Sequence, residues 1–439
     1  MTGRRDSSSP RPCKTFSVRT ACTAAVAAGV SLIAGCGVLP GDPGGSRGTV
    51  TVMTFAPEDT KATNMPGMPS MAEAYARWAK ANGGIDGHEL RVITCNEQNT
   101  PKGAATCARD AVDEGAVAVV GSYSQYGDAF MAPLEAAGIP FIGGFGVSDE
   151  EFTSYLSYPV NGGQAALLAG NGEQLADVCD RVALVRPDSL AGDDLNELLN
   201  AGLTRGRARK SADILAADNA TGYSDEARQA RERAAEPAGT GTADGADDGR
   251  PGCVTAALGD RTETFFDSYR RLPDDGRDIR ISSVMGSVGQ PLIDSTGGRN
   301  GLYEGAYVTG WYPDAADSRW DRMRDVIRTH AFGDNTLDPA DAGVQTTWIA
   351  YTVLDKVIRA IDSDSVTPGK ISHTLDQGLK VSTDGLTPDL RWGYEDMLGA
   401  ADYPRMVNSS VTFQVVRDGR LVTQRQDFVD VGPTLLEAS

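Results

Sequence analysis

Histidine is nearly missing from this chain: His88, His330 and His373 are the only three in 439 residues, widely separated and in no metal-ligand spacing. A histidine metal site and a Ser-His-Asp hydrolase therefore start without their usual parts. Base is scarce as well. Lysine and arginine number 41 against 60 aspartates and glutamates, a formal net charge of −19 at pH 7, which argues against a nucleic-acid or anionic-lipid partner held by a basic face. Nor is there an apolar run of about 20 residues, the length a membrane-spanning helix needs. No enzymatic activity, metal or cofactor is expected from this inventory.

What is present begins with a leader. Arg4, Arg5, Arg11, Lys14 and Arg19, against the single acid Asp6, precede the apolar run "ACTAAVAAGVSLIAG". A charged region followed by a short apolar one describes a secretory signal. The run ends in Leu32-Ile33-Ala34-Gly35-Cys36, which resembles a bacterial lipobox, where the cysteine receives a diacylglycerol and the chain is cut just before it. The following "GVLPGDPGGSRG" has the composition of a flexible leash. Residues 1–35 are thus expected to be a lipoprotein signal and 36–47 a tether, with Cys36 the lipidation site holding the protein on a membrane. An ordinary cysteine after a plain secretory cut is the alternative. Four cysteines remain beyond it: Cys95, Cys107, Cys179 and Cys253. An even number in an exported chain favours disulfides over free thiols, and three pairings are open.

From residue 48 apolar β-branched runs alternate with helical spacing. "GTVTVMTFAP", "HELRVITC", "AVAVVGS" and "IPFIGGFG" read as buried strands. Between them, Met71, Ala74, Tyr75 and Trp78 lie at helical spacing in a helix opening after Pro69-Ser70, a second helix starts near Pro101 and ends at Gly115, and "YGDAFMAPLEAAG" is a third. The alternation resumes after "NGGQAALLAGNGEQLADVCD" with "RVALVRPD", "SADILAAD", "CVTAAL" and "IRISSVMG" as strands, and "LAGDDLNELLNAGLTRG" and "TETFFDSYRRL" as helices. Repeated βα units imply parallel sheets covered on both faces, here two of them. Residues from about 219 to 252 read as a low-complexity, solvated and partly disordered insertion, Ala/Gly/Asp-rich in its second half, with a charged helix as the alternative for its first half. The tail holds the amphipathic helix "GVQTTWIAYTVLDKVIRAID" and a hairpin turning at Asp418-Gly419. Two facing sheets would offer their strand-end loops to one cleft.

The stretch "EAYARWAKANGGIDGHELRVITCNEQNTPKGAATCARDAVDEGAVAVVGSYSQ" resembles the first lobe of branched-chain amino-acid-type solute-binding proteins of ABC importers. The likeness rests on the turn Gly83-Gly84-Ile85-Asp86-Gly87, the valine-rich strand running into Gly121 to Ser124, "LEAAGIPFI" and the closing hairpin "VTFQVVRDGRLV". It covers nearly all of residues 48 to 430 and is weaker in the second half. The resemblance implies the α/β two-lobe type I periplasmic-binding fold, each lobe a mainly parallel sheet sandwiched by helices. Lobe 1 is expected over 48–168 with about 310–405, and lobe 2 over about 169–309 with 406–439. It implies a monomeric receptor that closes over a small polar, amino-acid-like solute and presents it to an ABC permease. A sensing module of the same fold, acting in signalling, is the alternative. The lipobox then places it on the outer face of the cytoplasmic membrane, and the Arg-, Ala- and Gly-rich composition fits a high-G+C Gram-positive host. The fold also orders the cysteines into Cys95–Cys107 and Cys179–Cys253, one bridge per lobe.

Relatives of this type commonly hold a solute carboxylate on the first lobe with hydroxyls and backbone N–H groups after the third and fourth strands. That implies Ser124 first, then Gln125 and Tyr123, and Ser148 after the fourth strand. Ser124 reads alternatively as an N-cap, and Ser148 as half of a capping box with Glu151. Phe55, Tyr123, Phe145 and Trp311 are candidate aromatic walls. The second lobe departs from the family pattern. "ALGDRTE" and "SSVMGSVGQ" carry neither the aromatic nor the carboxylate that relatives use to hold an ammonium, leaving Asp260 or Asp188 to substitute.

Overall fold

A computed structural model describes residues 47–61, 63–217, 220–236, 250–284 and 287–438. The leader, Cys36 and the stretch 237–249 lie outside the described residues. The first sheet comprises β1 (Arg47–Ala56), β2 (His88–Asn96), β3 (Ala118–Val120), β4 (Phe141–Ile142) and β5 (Ser157–Tyr158), all parallel, in the order β2-β1-β3-β4-β5. Its helices are α1 (Gly67–Ala81), α2 (Pro101–Asp113), α3 (Gly127–Ala137) and the single turn α4 (Glu150–Thr153). Helix α1 opens at Gly67, earlier than Pro69-Ser70 suggested. Pro69 falls in the first turn, where no intrahelical partner exists for its missing N–H. Helix α2 starts as expected: Thr100 caps it by accepting from the Gly103 N–H, with Pro101 in the first turn.

The chain then crosses to a second sheet. Helix α5 (Gly163–Val178) leads into β6 (Arg181–Pro187), α6 (Leu190–Arg205), β7 (Ala212–Ala216), α7 (Ser224–Ala234), β8 (Gly252–Ala256), α8 (Thr262–Arg270), β9 (Ile279–Val284), α9 (Gln290–Ser295) and β10 (Tyr307–Gly310). These five strands are parallel, in the order β7-β6-β8-β9-β10. Helix α5 packs on α6 and on β9 and β10 of the second sheet. The first half of the expected insertion holds α7, which seats Ala227, Ala230 and Ala234 against the second sheet, with Tyr223 buried just before it.

A second crossing returns the chain to the first sheet with α10 (Asp321–His330), α11 (Ala342–Ile361) and α12 (Pro368–Asp376). Helix α11 lies so close to the sheet that a Cβ on Gly121 would sit 2.9 Å from the Thr347 Cα. The Tyr351 hydroxyl shares a hydrogen bond with Thr54 at 2.8 Å, and Thr347 donates to the Gly121 carbonyl at 3.1 Å. A third crossing brings β11 (Ser410–Arg417) antiparallel onto β10, followed by β12 (Arg420–Thr423), β13 (Val429–Asp430) and α13 (Gly432–Ala438). The β11–β12 turn puts Asp418 and Gly419 at φ of 52° and 73°, the left-handed pair a two-residue hairpin needs.

Both disulfides form as the fold implied, Cys95–Cys107 with Cα atoms 5.7 Å apart and Cys179–Cys253 at 5.9 Å. The second closes a loop of 74 residues, the first one of 12. Because loop closure restricts the unfolded chain, replacing Cys179 and Cys253 by serine is expected to cost about 4 kcal/mol, and replacing Cys95 and Cys107 about 3 kcal/mol. Urea unfolding of the two double variants checks this order.

Candidate functional site

The three crossings, at about 159–162, 311–313 and 407–409, are tied to one another by side chains. Asn161 Nδ2 donates to the Tyr312 phenol oxygen at 3.0 Å, and that phenol shares a hydrogen bond with Thr346 at 3.0 Å. Thr412 and Gln414 donate to the Tyr312 carbonyl at 2.8 and 3.0 Å, and Asn408 Nδ2 donates to the Val160 carbonyl at 2.9 Å. The loop after β4 presses on the first crossing at Gly146, whose φ is 86° and whose missing Cβ would come within 2.7 Å of Asn161 Oδ1 and of Gly163 Cα. No other residue type fits there.

Beside this hinge, at the carboxyl ends of the strands of both sheets, lies a cavity of about 480 Å³. The first sheet supplies Thr63–Met65 after β1, Tyr123 after β3, and Phe145 and Val147 after β4. The second supplies Ala257 and Gly259 after β8, Thr262 and Glu263 from the first turn of α8, and Val284 and Ser287 at the end of β9. Beside the crossings stand Gln164 and Leu167 of α5 and Trp311, and the first lobe adds Asp341, the N-cap of α11. Tyr123, Phe145 and Trp311 form an aromatic row, with ring centroids 5.3 and 5.1 Å apart. Trp311 is fixed by donating from Nε1 to the Gly163 carbonyl at 2.9 Å. Burial, with Asp338 nearby, raises the Asp341 carboxyl above its ordinary range, while it accepts from the Val344 N–H.

The structure brings some expected residues to this cavity and not others. Tyr123 is on its wall. Gln125 stands behind it, donating from Nε2 to the Tyr123 phenol oxygen at 3.0 Å and to Thr63 at 3.3 Å, so it braces two wall residues. Ser124 is buried in lobe 1. Its hydroxyl donates to Glu97 Oε2 at 3.3 Å and accepts from the Tyr126 N–H at 3.1 Å. Ser148 is likewise engaged, its hydroxyl donating to Glu151 Oε1 at 3.2 Å and its own N–H reaching the same oxygen at 3.1 Å. Neither hydroxyl caps a helix: Tyr126 and Asp149 stand before α3 and α4, and no side chain caps either one. Phe55 packs against Phe130 and Phe141 in the core rather than on the wall. Asp188 is exposed at the end of β6, away from the cavity lining, and the Asp260 side chain lies outside the described residues. Reasoning from the sequence missed Glu263 and Asp341. Both were legible as helix-start acids, one in the first turn after a second-lobe strand and one capping the long tail helix. Among the described residues no group of three or more His, Cys, Asp or Glu is placed to hold a metal ion.

Buried carboxylates hold the loops that carry the wall. Glu151 accepts from the N–H groups of Gly146, Val147 and Ser148 at 2.9–3.1 Å, fixing the loop that presents Phe145 and Val147. Glu97 accepts from the Asn99 N–H at 3.1 Å besides the Ser124 hydroxyl. Burial pushes the carboxyls of Glu97, Glu150 and Glu151 up to about 7, with the hydrogen bond that protonated Glu150 donates to the Asp128 carboxylate adding to the rise at Glu150. Folding therefore takes up protons between the unfolded values near 4.5 and the folded values near 7. The stability these groups contribute is present at low pH and is lost as pH rises through 7. The urea midpoint is expected to fall between pH 5.5 and 8, and Glu97→Gln to flatten that slope.

Sequence comparison with curated proteins finds no match. The fold is similar to that of a solute-binding protein of an ABC transporter from Rhodopseudomonas palustris HaA2 in complex with p-hydroxybenzoic acid. The two are 15% identical with a TM-score of 0.67, covering 88% of this chain and 98% of that one. It is similar also to a fatty acid ABC transporter substrate-binding protein from Thermomonospora curvata (12% identity, TM-score 0.65, 89% and 95% covered). A leucine binding protein from Thermotoga maritima MSB8 shares the fold as well (16%, 0.60, 87% and 98%). A family model described as periplasmic binding protein matches residues 59–404. With the two sheets, the threefold crossing and the strand-end cavity in place, the chain belongs to the periplasmic binding protein family, in its type I fold.

Proposed function

We propose that this chain is an extracellular receptor that closes its two lobes over a small, amino-acid-sized solute and hands it to an ABC permease, tethered to the membrane through lipid on Cys36. The observation that carries the reading is the cavity whose walls come from both sheets and from the crossings between them. A cleft built that way changes volume when the lobes rotate about the crossings, so solute binding and closure are one equilibrium. On this reading the lobes are about 48–160 with 312–407 and about 163–310 with 410–438. The lipobox-like "LIAGC" and the Gly/Pro-rich stretch after it support the tether, and among the described residues no helix is long and apolar enough to cross a membrane. Such a protein acts as a monomer without catalytic chemistry.

Capture is tested on the purified Cys36→Ser chain by a thermal-shift screen over amino acids, amines, organic acids, amides and sugars, followed by small-angle scattering. A true solute raises the midpoint in a dose-dependent way and shrinks the radius of gyration. A panel in which nothing does either sinks the reading. The tether is tested separately in the cell: wild type should fractionate with membranes, and the Cys36→Ser chain should be released. Equal membrane retention of both would rule out the anchor.

A further inference from the structure

The two hydroxyls that the sequence offers for a solute carboxylate are already committed. The single hydroxyl proton of Ser124 points to Glu97 and that of Ser148 to Glu151, so neither is free to donate to a solute anion. The helix amino ends beside the cleft are occupied too. In α5, the Gly163 N–H donates to Asn161 Oδ1 at 2.9 Å and the Gln164 N–H to the Gly146 carbonyl at 3.0 Å. Helix α8 carries Glu263 in its first turn, α11 is capped by the Asp341 carboxylate, and α3 has Asp128 in its first turn with Glu150 hydrogen-bonded to it. Each positive dipole end is thus balanced by the protein itself. No lysine, arginine or histidine among the described residues lines the cavity. What does face the space is two carboxylates, Glu263 and Asp341, and the aromatic row Tyr123–Phe145–Trp311.

Resting on the receptor reading above, we propose that the solute is an organic cation, an amine with an apolar body and no carboxylate. Its ammonium is held by Glu263 from the second lobe and Asp341 from the first, and its body lies on Phe145 and Trp311. Aromatic faces add attraction to a cation where water is excluded. Because one carboxylate sits on each side of the cleft, the cation also draws the lobes together.

The test is calorimetric titration of the full Cys36→Ser chain at pH 8 with two matched series. One is 3-methylbutylamine, leucine and 4-methylpentanoate; the other is phenethylamine, phenylalanine and 3-phenylpropanoate. The expected order in each is amine over zwitterion by about tenfold or more, with the acid weakest. Glu263→Gln, and Asp341→Asn, which keeps a helix-capping oxygen, should each weaken the amines by roughly fivefold and leave the acids unchanged or improved. An acid or zwitterion binding as well as its amine overturns the proposal, as do amine affinities untouched by both substitutions. Should the amines fail while another solute class is captured, the charge assignment falls and the receptor reading stands. Should nothing bind in either series or in the broader panel, both fall.

Discussion

Everything in this molecule depends on the chain passing three times between its two sheets and on those passages being bonded to one another. Tyr312 is the centre. Its phenol meets Asn161 from the first crossing and Thr346 from α11, and its carbonyl receives Thr412 and Gln414 from the third. These groups are buried, so each hydrogen bond lost would leave a polar atom without water. The crossings therefore behave as one unit. In the proposed receptor, lobe movement is rotation about it, and the cavity beside it has a fixed back wall in Trp311 and moving side walls. The glycine at 146 belongs to the same constraint, since the wall loop after β4 can touch the hinge only where no side chain intervenes.

A second theme is the placement of acid. The chain carries a large negative charge, and its carboxylates are not confined to the surface. Glu97 and Glu151 lie beneath the loops of the first lobe, where each gathers backbone N–H groups and a serine hydroxyl. Burial makes these carboxylates costly, and the surrounding donors offset part of that cost. The result is two loops whose shape is fixed from behind, so that the aromatic row is presented by rigid backbone rather than by mobile turns.

Much of this architecture was legible because buried parallel strands read as apolar runs and because the helices announce their ends, at Pro101, Gly115 and Gly138 for instance. The hairpin at Asp418-Gly419 and the two disulfides followed the same logic. Strand β5, only Ser157 and Tyr158, offered no apolar run to read. Helix α7 looked like solvated sequence because it buries only alanines, which carry a weak apolar signal. The site was harder. Ser124 was correctly placed in the chain, but the direction of its hydroxyl is set by Glu97, 27 residues away. Glu263 and Asp341 converge on one cavity from opposite sides of a fold interleaved over most of the chain, and local pattern does not encode that meeting.

The interleaving also constrains the order in which the molecule can assemble. All five strands of the first sheet are made by residue 158, yet α11, the helix that closes over Gly121 and Gly143, arrives only after every parallel strand of the second sheet. The second sheet in turn waits for β11 and β12, made after α12. Neither half can mature as a free-standing domain while the chain emerges from its amino end. Contacts of long sequence separation form late and slowly. In a chain of this topology both lobes acquire their final cover almost together.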